Sequence, residues 1–577
     1  MTSLPKLALL LLVAIAGGCA SLPPNEGRTD SSALRDTGDT KLGRAIAPLA
    51  ARHGARPADE AAYLQPGTPV KAGLYALAGG REALAARVVL ADAAERALDI
   101  QYYIWRNDRS GIFMFDAIRR AADRGVRVRL LLDDNNTVGQ DPVLWTLDRH
   151  PNIEVRLFNP FPQRSARLLG FLTDFGRLNR RMHNKSFTAD NQATIIGGRN
   201  IGDEYFDATD ERAFADLDVL AVGAIVDQLS TDFDRYWKSE SAYPVERLLP
   251  AVSQDMMKGL LEDIASVEGG GPGFSDYADA VQKTGFLREL FEGSLKLEWA
   301  QTRMVSDDPG KVLGKALPAA PLPQRMERMI GKPRQLLELV SPYFVPLQEG
   351  FDYLRSLTEQ GVEIRVLTNS LAATDVVAVH AGYARWRKPL LEAGIVLHEY
   401  RPAAPTPRSG ATAARDRGKG DRSSGSGSGD AGARAAAPAG SVGSRPSVGS
   451  LGAGGSRGPR RAGSVGSSTS SLHAKTFSID RSRVVIGSFN FDPRSLDLNT
   501  ELGFVIDSAA LASAVDEAYI RNVPLTAWQV TLTEAGELQW TGQVDGEPVR
   551  HDEEPDAGFW RRAGAAMIRL LPVDWML

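Results

Sequence analysis

Cysteine is all but missing from this chain: among 577 residues there is one, Cys19. No disulfide can close within it, so stability has to come from core packing. No Cys/His/Asp cluster with metal-ligand spacing is present, and the reading is an enzyme with no metal and no cofactor. Long apolar runs are scarce as well. Leu7 to Ala16, behind Lys6, is too short to span a bilayer as a helix and fits the apolar region of a signal peptide. Net charge is only −4, which by itself selects no partner, and 43% apolar content suits an ordinary globular protein of two or more domains.

Cys19 follows Ala16, Gly17 and Gly18, an arrangement that resembles a bacterial lipobox, although Leu is more usual where Ala16 stands. An ordinary signal peptide with an incidental cysteine is the alternative. On the lipobox reading residues 1–18 are removed, Cys19 is lipidated, residues 19–67 are a polar tether, and the protein faces the periplasm of a bacterial envelope. Ala20 does not resemble an inner-membrane retention signal, which favours the outer membrane.

The chemistry is concentrated in SLHAKTFSIDRSRVVIGSFNFD, from Ser471. Phe477 and Ile479 alternate as on a strand, where His473 and Lys475 would share a face. After a turn at Asp480, Val484 to Ile486 suggest a neighbouring strand that ends in Gly487, Ser488 and Asn490. An imidazole, an ammonium and neutral donors gathered in this way suit a phosphodiester: the imidazole attacks phosphorus and the donors stabilise the equatorial oxygens. A buried hairpin with no chemistry is the competing reading of a single copy. There are two copies. RMHNKSFTADNQATIIGGRN, from Arg181, carries His183, Lys185, Asp190, Gly197, Gly198 and Asn200 at the same spacings, seven residues from His to Asp and seventeen from His to Asn.

With this pair the chain resembles the phospholipase D superfamily, whose signature of His-x-Lys, four residues, Asp and a Gly-Ser/Gly-x-Asn turn occurs twice. The segments IQYYIW near Ile100, GGRNIGDEYFDA at Gly197, DDPGKV at Asp307, DVVAVHAGY at Asp375 and GSFNFDPRS at Gly487 resemble those of bacterial cardiolipin synthases. The resemblance implies an α/β fold of two similar domains, each a mixed, mostly parallel sheet flanked by helices, forming one pseudo-twofold active site. It implies His183, Lys185, Asp190, His473, Lys475 and Asp480 as catalytic residues, with Asn200, Ser488 and Asn490 binding substrate. One histidine attacks phosphorus to give a phosphohistidine and the other protonates the leaving alcohol. His183 is the expected nucleophile, with the reverse assignment open. Asp190 and Asp480 are expected to hold loops together rather than move protons.

The rest of the chain fits two repeats. LDIQYYIW, a helix over Ile112 to Asp123 and GVRVRLLLDD match LLELVSPYFV, the helical FDYLRSLTEQ and GVEIRVLTNS. Domain 1 is expected over 68–239, a helical connection over 240–334, domain 2 over 335–402 and 471–525, and a packed extension over 526–577. Residues 403–470 are Gly, Ser, Ala, Pro and Arg with almost no large apolar side chain, and are expected to be disordered. That insertion carries ten Lys or Arg and three Asp or Glu, net +7, which leaves −11 on everything else. An acidic body argues against nucleic acid as partner, whereas a mobile basic segment would attract anionic headgroups; a spacer without a role is the alternative.

An acid after each motif is expected to orient a histidine: Glu501 in the second half and Asp216 in the first, with Asp218 as competitor. Leu168, Leu169, Phe171, Leu172 and Phe175 form an amphipathic segment before the first motif, either a bilayer seat or an ordinary core-facing helix. His380 and Tyr383 either line the substrate access or simply pack. The functional expectation is a phosphatidyltransferase with phospholipid substrates, membrane-associated through its lipid and with a helper protein open. Phospholipase D hydrolysis, nuclease action and a non-catalytic scaffold are alternatives.

Overall fold

The computed structural model describes residues 22–55, 67–206, 216–267, 274–315, 322–402, 471–544 and 546–570. The expected signal peptide, Cys19 and the 403–470 insertion lie outside them. Eighteen strands are found among the described residues. Those of the first half are β1 (Val70–Leu77), β2 (Ala97–Tyr102), β3 (Arg127–Asp133), β4 (Ile153–Phe158), β5 (Ser186–Ala189), β6 (Ala193–Gly197), β7 (Asp218–Gly223) and β8 (Ala242–Pro244). The second half supplies β9 (Glu298–Ser306), β10 (Leu336–Val340), β11 (Glu363–Asn369), β12 (Val396–Tyr400), β13 (Thr476–Ile479), β14 (Arg483–Gly487), β15 (Leu502–Asp507), β16 (Ala527–Leu532), β17 (Leu538–Val544) and β18 (Glu547–His551).

Pairing joins them into one ladder. The order β4-β3-β2-β5-β6-β7-β1 in the first half recurs as β12-β11-β10-β13-β14-β15-β9 in the second, and β1 pairs with β9 where the halves meet. β8 adds to the β4 edge, and β16, β17 and β18 extend the β12 edge. The repeated strand, helix, strand pattern has a physical cause. β2 and β3 pair parallel, and β10 with β11, so each connection must cross over a sheet face. Helices Arg109–Asp123 and Leu347–Glu359 make those crossovers. Each ends before a glycine with positive φ, Gly125 at 93° and Gly361 at 86°, a backbone turn that L side chains resist.

The apolar runs of the central strands fill two cores. Leu98, Ile100, Val128 and Leu130 lie in the first, Leu337, Leu339, Ile364 and Val366 in the second. A third cluster, including Leu74, Val219, Met304, Val484 and Phe504, fuses the halves.

Three expectations change. Among the strands, parallel pairing is confined to β2–β3, β3–β4, β10–β11 and β11–β12, so the sheet is mixed but mostly antiparallel. The connection 240–334 is helical over Gln254–Ala265, Ser275–Lys283, Phe286–Glu292 and Leu322–Ile330, but it also contains β9, a nine-residue strand at the centre of the sheet. Of its inward side chains Ala300 is small and Thr302 polar, which leaves Met304 as the one large apolar residue and breaks the alternation. The described part of the expected tether is not free. Helix Lys41–Arg52 buries Leu42, Ile46 and Leu49, and Thr37 Oγ1 donates to the Asp190 carbonyl. Among the described residues no helix is long and apolar enough to cross a membrane.

Candidate active site

The site forms where the two halves zip together at the carboxyl ends of β2 and β10. His183 and Lys185 sit immediately before β5, and His473 and Lys475 immediately before β13. β6 and β14 return and end at Gly197 and Gly487, so Asn200 and Asn490 fall at the same edge. A bridge across the halves then sets the geometry: His183 N donates to Thr500 O at 2.9 Å, and Thr500 N to Arg181 O at 2.9 Å. That brings Glu501 against the first histidine.

Glu501 Oε2 lies 2.9 Å from His183 Nδ1, and Asp216 Oδ2 lies 2.7 Å from His473 Nδ1. The strand register makes the two acids equivalent: Gly197 pairs with Asp218 and Gly487 with Gly503, so Asp216 and Glu501 both stand two residues earlier. Each carboxylate crosses the interface and holds the other half's imidazole. A carboxylate on Nδ1 leaves Nε2 for the reaction. Asp218 is excluded as the orienting acid because its carboxylate is buried 2.7 Å from Arg87.

The halves differ in how they support these acids. Glu501 accepts from Ser495 Oγ at 2.7 Å and from Ser488 Oγ. In the first half Gly198 stands where Ser488 does, and a Cβ there would lie 2.1 Å from Asp216 Oδ1. The shorter carboxylate occupies the space that the serine side chain uses in the second half. Lys185 and Lys475 donate to the carbonyls of His183 and His473, and Lys475 Nζ is 3.1 Å from His473 Nδ1. Ile104 N donates to Asn200 Oδ1 at 3.1 Å, which leaves the buried Nδ2 without an acceptor of normal geometry among the described residues. Tyr103 meets His183 edge-on at 4.9 Å, and Tyr205 meets His473 in the same way at 4.9 Å.

This arrangement has counterparts. The family model described as "Cardiolipin synthase, PLD-like domain" matches residues 89–237 and 459–522, which include both histidines and both acids. Cardiolipin synthase C of Escherichia coli is 43% identical over 537 residues, 93% of this chain and all of that protein. The chain belongs to the cardiolipin synthase family. An uncharacterised Helicobacter pylori protein is 28% identical over 86% of this chain and 88% of its own length. The crystal structure of phosphatidylserine synthase from Haemophilus influenzae shares the fold, with a TM-score of 0.52 at 12% identity over 87% of this chain and 95% of that one.

In this cardiolipin synthase family member the site's electrostatics separate the two histidines. Burial, then Lys185 and Lys475, push His183 well below its ordinary value. Burial, then Lys475, also lower His473, but the Asp216 carboxylate opposes them. Burial would raise Asp216, yet His473 beside it, with Lys475 and Arg199, outweighs burial and holds the carboxyl down. Glu501 goes the other way: burial lifts it to about 7, only partly offset by Lys185 and the two serines. Burial brings Lys475 down to about 8, and burial, then Lys475, lower Lys185. An ionised acid favours an imidazolium at His473, and a carboxyl near neutrality favours neutral His183.

Several residues expected in the site are elsewhere. Asp190 accepts the backbone N–H groups of Glu95, Arg96 and Ala97 at 3.0, 2.8 and 2.9 Å, and Asp480 those of Arg334, Gln335 and Leu336 at 3.0, 2.7 and 2.9 Å. Each sits five residues beyond its lysine at the opposite end of the strand, about 16 Å away at the rise of a strand. They pin the starts of β2 and β10. Ser488 directs its hydroxyl to Glu501 rather than to a substrate position. His380 is buried, 3.0 Å from Arg387 and facing Glu554, and Tyr383 donates to Glu399 at 3.0 Å, so both belong to a packed network under the C-terminal strands. The sequence reading passed over Tyr103, Tyr205, Ser495 and Lys311. Lys311 Nζ is 2.8 Å from Asp307, whose carboxylate also accepts from Glu501 N at 3.1 Å. Tyr103, Tyr205, Lys311 and Ser495 lie within family-like segments, which was the available signal.

Proposed function

We propose that this chain is a phosphatidyltransferase that makes cardiolipin from phosphatidylglycerol and a second phospholipid through a phosphohistidine. The observation that carries it is the pair of imidazoles, each held at Nδ1 by the acid of the opposite half and flanked by a buried lysine. Neutral His183 attacks the donor phosphorus through Nε2, while His473 gives its proton to the departing headgroup alcohol. The P–O bond breaks as the P–N bond forms. His473, now neutral, takes the proton from the hydroxyl of the acceptor headgroup, which displaces His183. Lys185, Lys475, Asn200 and Asn490 stabilise charge on the equatorial oxygens. The bound phosphodiester anion offsets the two ammonium groups and lifts His473 toward the protonated form that the first step needs.

Asp216 and Glu501 act as positioning residues through the histidines. Cys19 is the lipidation site, and its lipid holds the protein to a bacterial envelope membrane facing the periplasm, the outer membrane by preference. Product analysis tests the proposal: the protein and its His473→Ala variant are incubated with phosphatidylglycerol, with and without phosphatidylethanolamine. Cardiolipin from the unaltered protein alone supports the transferase. Phosphatidate alone makes water the acceptor, and no lipid product sinks the reading.

A further inference from the structure

We propose that the sheet edge carrying the paired histidines docks on a phospholipid bilayer, with the helix Phe559–Arg569 lying in the membrane interface. This rests on the reading of the chain as a phospholipid-using transferase. The helix is inverted relative to a solvated surface helix. Residues eleven and seven apart return to one face, and Phe559, Leu570, Trp560, Met567, Ala563 and Ala566 make up one side that is apolar and exposed. Trp560 is 79% exposed and Leu570 84%. Its inward side carries Arg561, which donates to Leu371 O at 2.6 Å and to Thr374 O. Those carbonyls follow β11 directly, and Asn369 at the end of β11 donates to Leu472 O, next to His473, at 3.0 Å. The apolar face is thus fixed beside the second motif.

The first half presents a matching ridge. Helix Arg167–Thr173 lies between the carboxyl end of β4 and His183, with Leu168 78% and Leu172 82% exposed one turn apart. Phe171 turns inward against Phe161 at 5.5 Å. A third feature shares this edge. Asn25 donates to Ala242 O at 3.0 Å, and Ala242 pairs with Phe158 at the end of β4. From there the N-terminal segment runs down the sheet to Thr37 at the Asp190 end. Cys19 is six residues before Asn25, within about 20 Å of this edge at full extension. A lipid on Cys19, the two ridges and the sheet edge with the paired histidines would meet one membrane surface, and an exposed apolar face on a helix that also carries arginines is how interfacial helices bind.

The test uses the full chain with Cys19→Ser and single cysteines placed by Leu168→Cys, Trp560→Cys or Lys41→Cys, each carrying an environment-sensitive fluorophore. Vesicles are phosphatidylglycerol and phosphatidylethanolamine with brominated acyl chains. Labels at 168 and 560 should shift to the blue and be quenched, and the label at 41, beside the far end of the sheet, should not. Phe559→Ser with Trp560→Ser should lower the vesicle-bound fraction at least about tenfold while turnover of a short-chain, monomeric phosphatidylglycerol is unchanged. His473→Ala should dock like its parent, so loss of chemistry and loss of docking are separable. Unquenched labels at 168 and 560 overturn the proposal, whether the chain stays in solution or the face is covered by a second copy or its own C-terminal residues. Quenching at 41, or a parallel loss on the short-chain lipid, overturns it too.

Discussion

Replacing Glu501 by Gln should make the protein more stable at high pH while disabling it. Glu501 is buried, bonded to His183, Ser488 and Ser495, and lifted by burial from 4.5 to about 7. Its folded pKa lies above its unfolded one, so the folded state binds the proton more tightly. The stabilising contribution is full below about pH 4.5 and disappears as pH rises through about 7. A shift of this size corresponds to about 3 kcal/mol, which for a chain of this length is roughly 3 °C in melting temperature. Gln has no such titration. Its two serine partners can turn to accept from the amide, so packing should survive. Melting temperatures of the two proteins at pH 5, 7 and 8.5 should diverge in favour of the variant toward high pH, while kcat falls roughly 100-fold or more because an amide N–H2 turned to Nδ1 fixes the wrong tautomer of His183 and supplies no negative charge. A constant offset at all three pH values would refute the buried, proton-binding carboxyl; unaltered kcat would refute its positioning role.

Asp216→Asn should slow single-turnover release of the headgroup from natural lipid roughly 100-fold but slow release of p-nitrophenol, a leaving group that needs no proton, much less; equal losses on both would contradict His473 as the acid. Gly198→Ala should resemble it, because the new Cβ would displace the Asp216 carboxylate, and a variant with unchanged kcat would show that the close approach is unimportant. Asp480→Asn should lower the melting temperature by several degrees through the three backbone N–H groups it weakens, with near-normal kcat per folded molecule; selective loss of kcat would return Asp480 to the chemistry. Sulfate, whose charge is constant, should inhibit less as pH rises through about 8 and Lys475 loses its proton, and a pH-independent inhibition constant would argue against that lysine as the anion's partner.

Much of this was legible because the two motifs share a spacing, and equal spacing in one chain requires equal hairpins: β5–β6 and β13–β14 turn at equivalent residues and return Asn200 and Asn490 to the same edge. The family resemblance favoured Asp216 over Asp218. Which histidine each acid serves was not legible, because that depends on the bridge between Arg181 and Thr500, which are far apart in sequence. β9 escaped notice for a related reason. Wedged between β1 and β15, it gets its order from two neighbours rather than from its own pattern. Leu42, Ile46 and Leu49 did carry a helical signal, hidden by the polar residues around them.

The most direct measurement is intact-protein and peptide mass spectrometry of the His473→Ala variant after mixing with the p-nitrophenyl phosphatidyl ester. The activated leaving group allows the first step, and the missing base stalls the second. The account predicts one phosphatidyl group per chain, on the peptide containing His183, and none when His183→Ala is added. An unmodified chain, or an adduct on another residue, would contradict it.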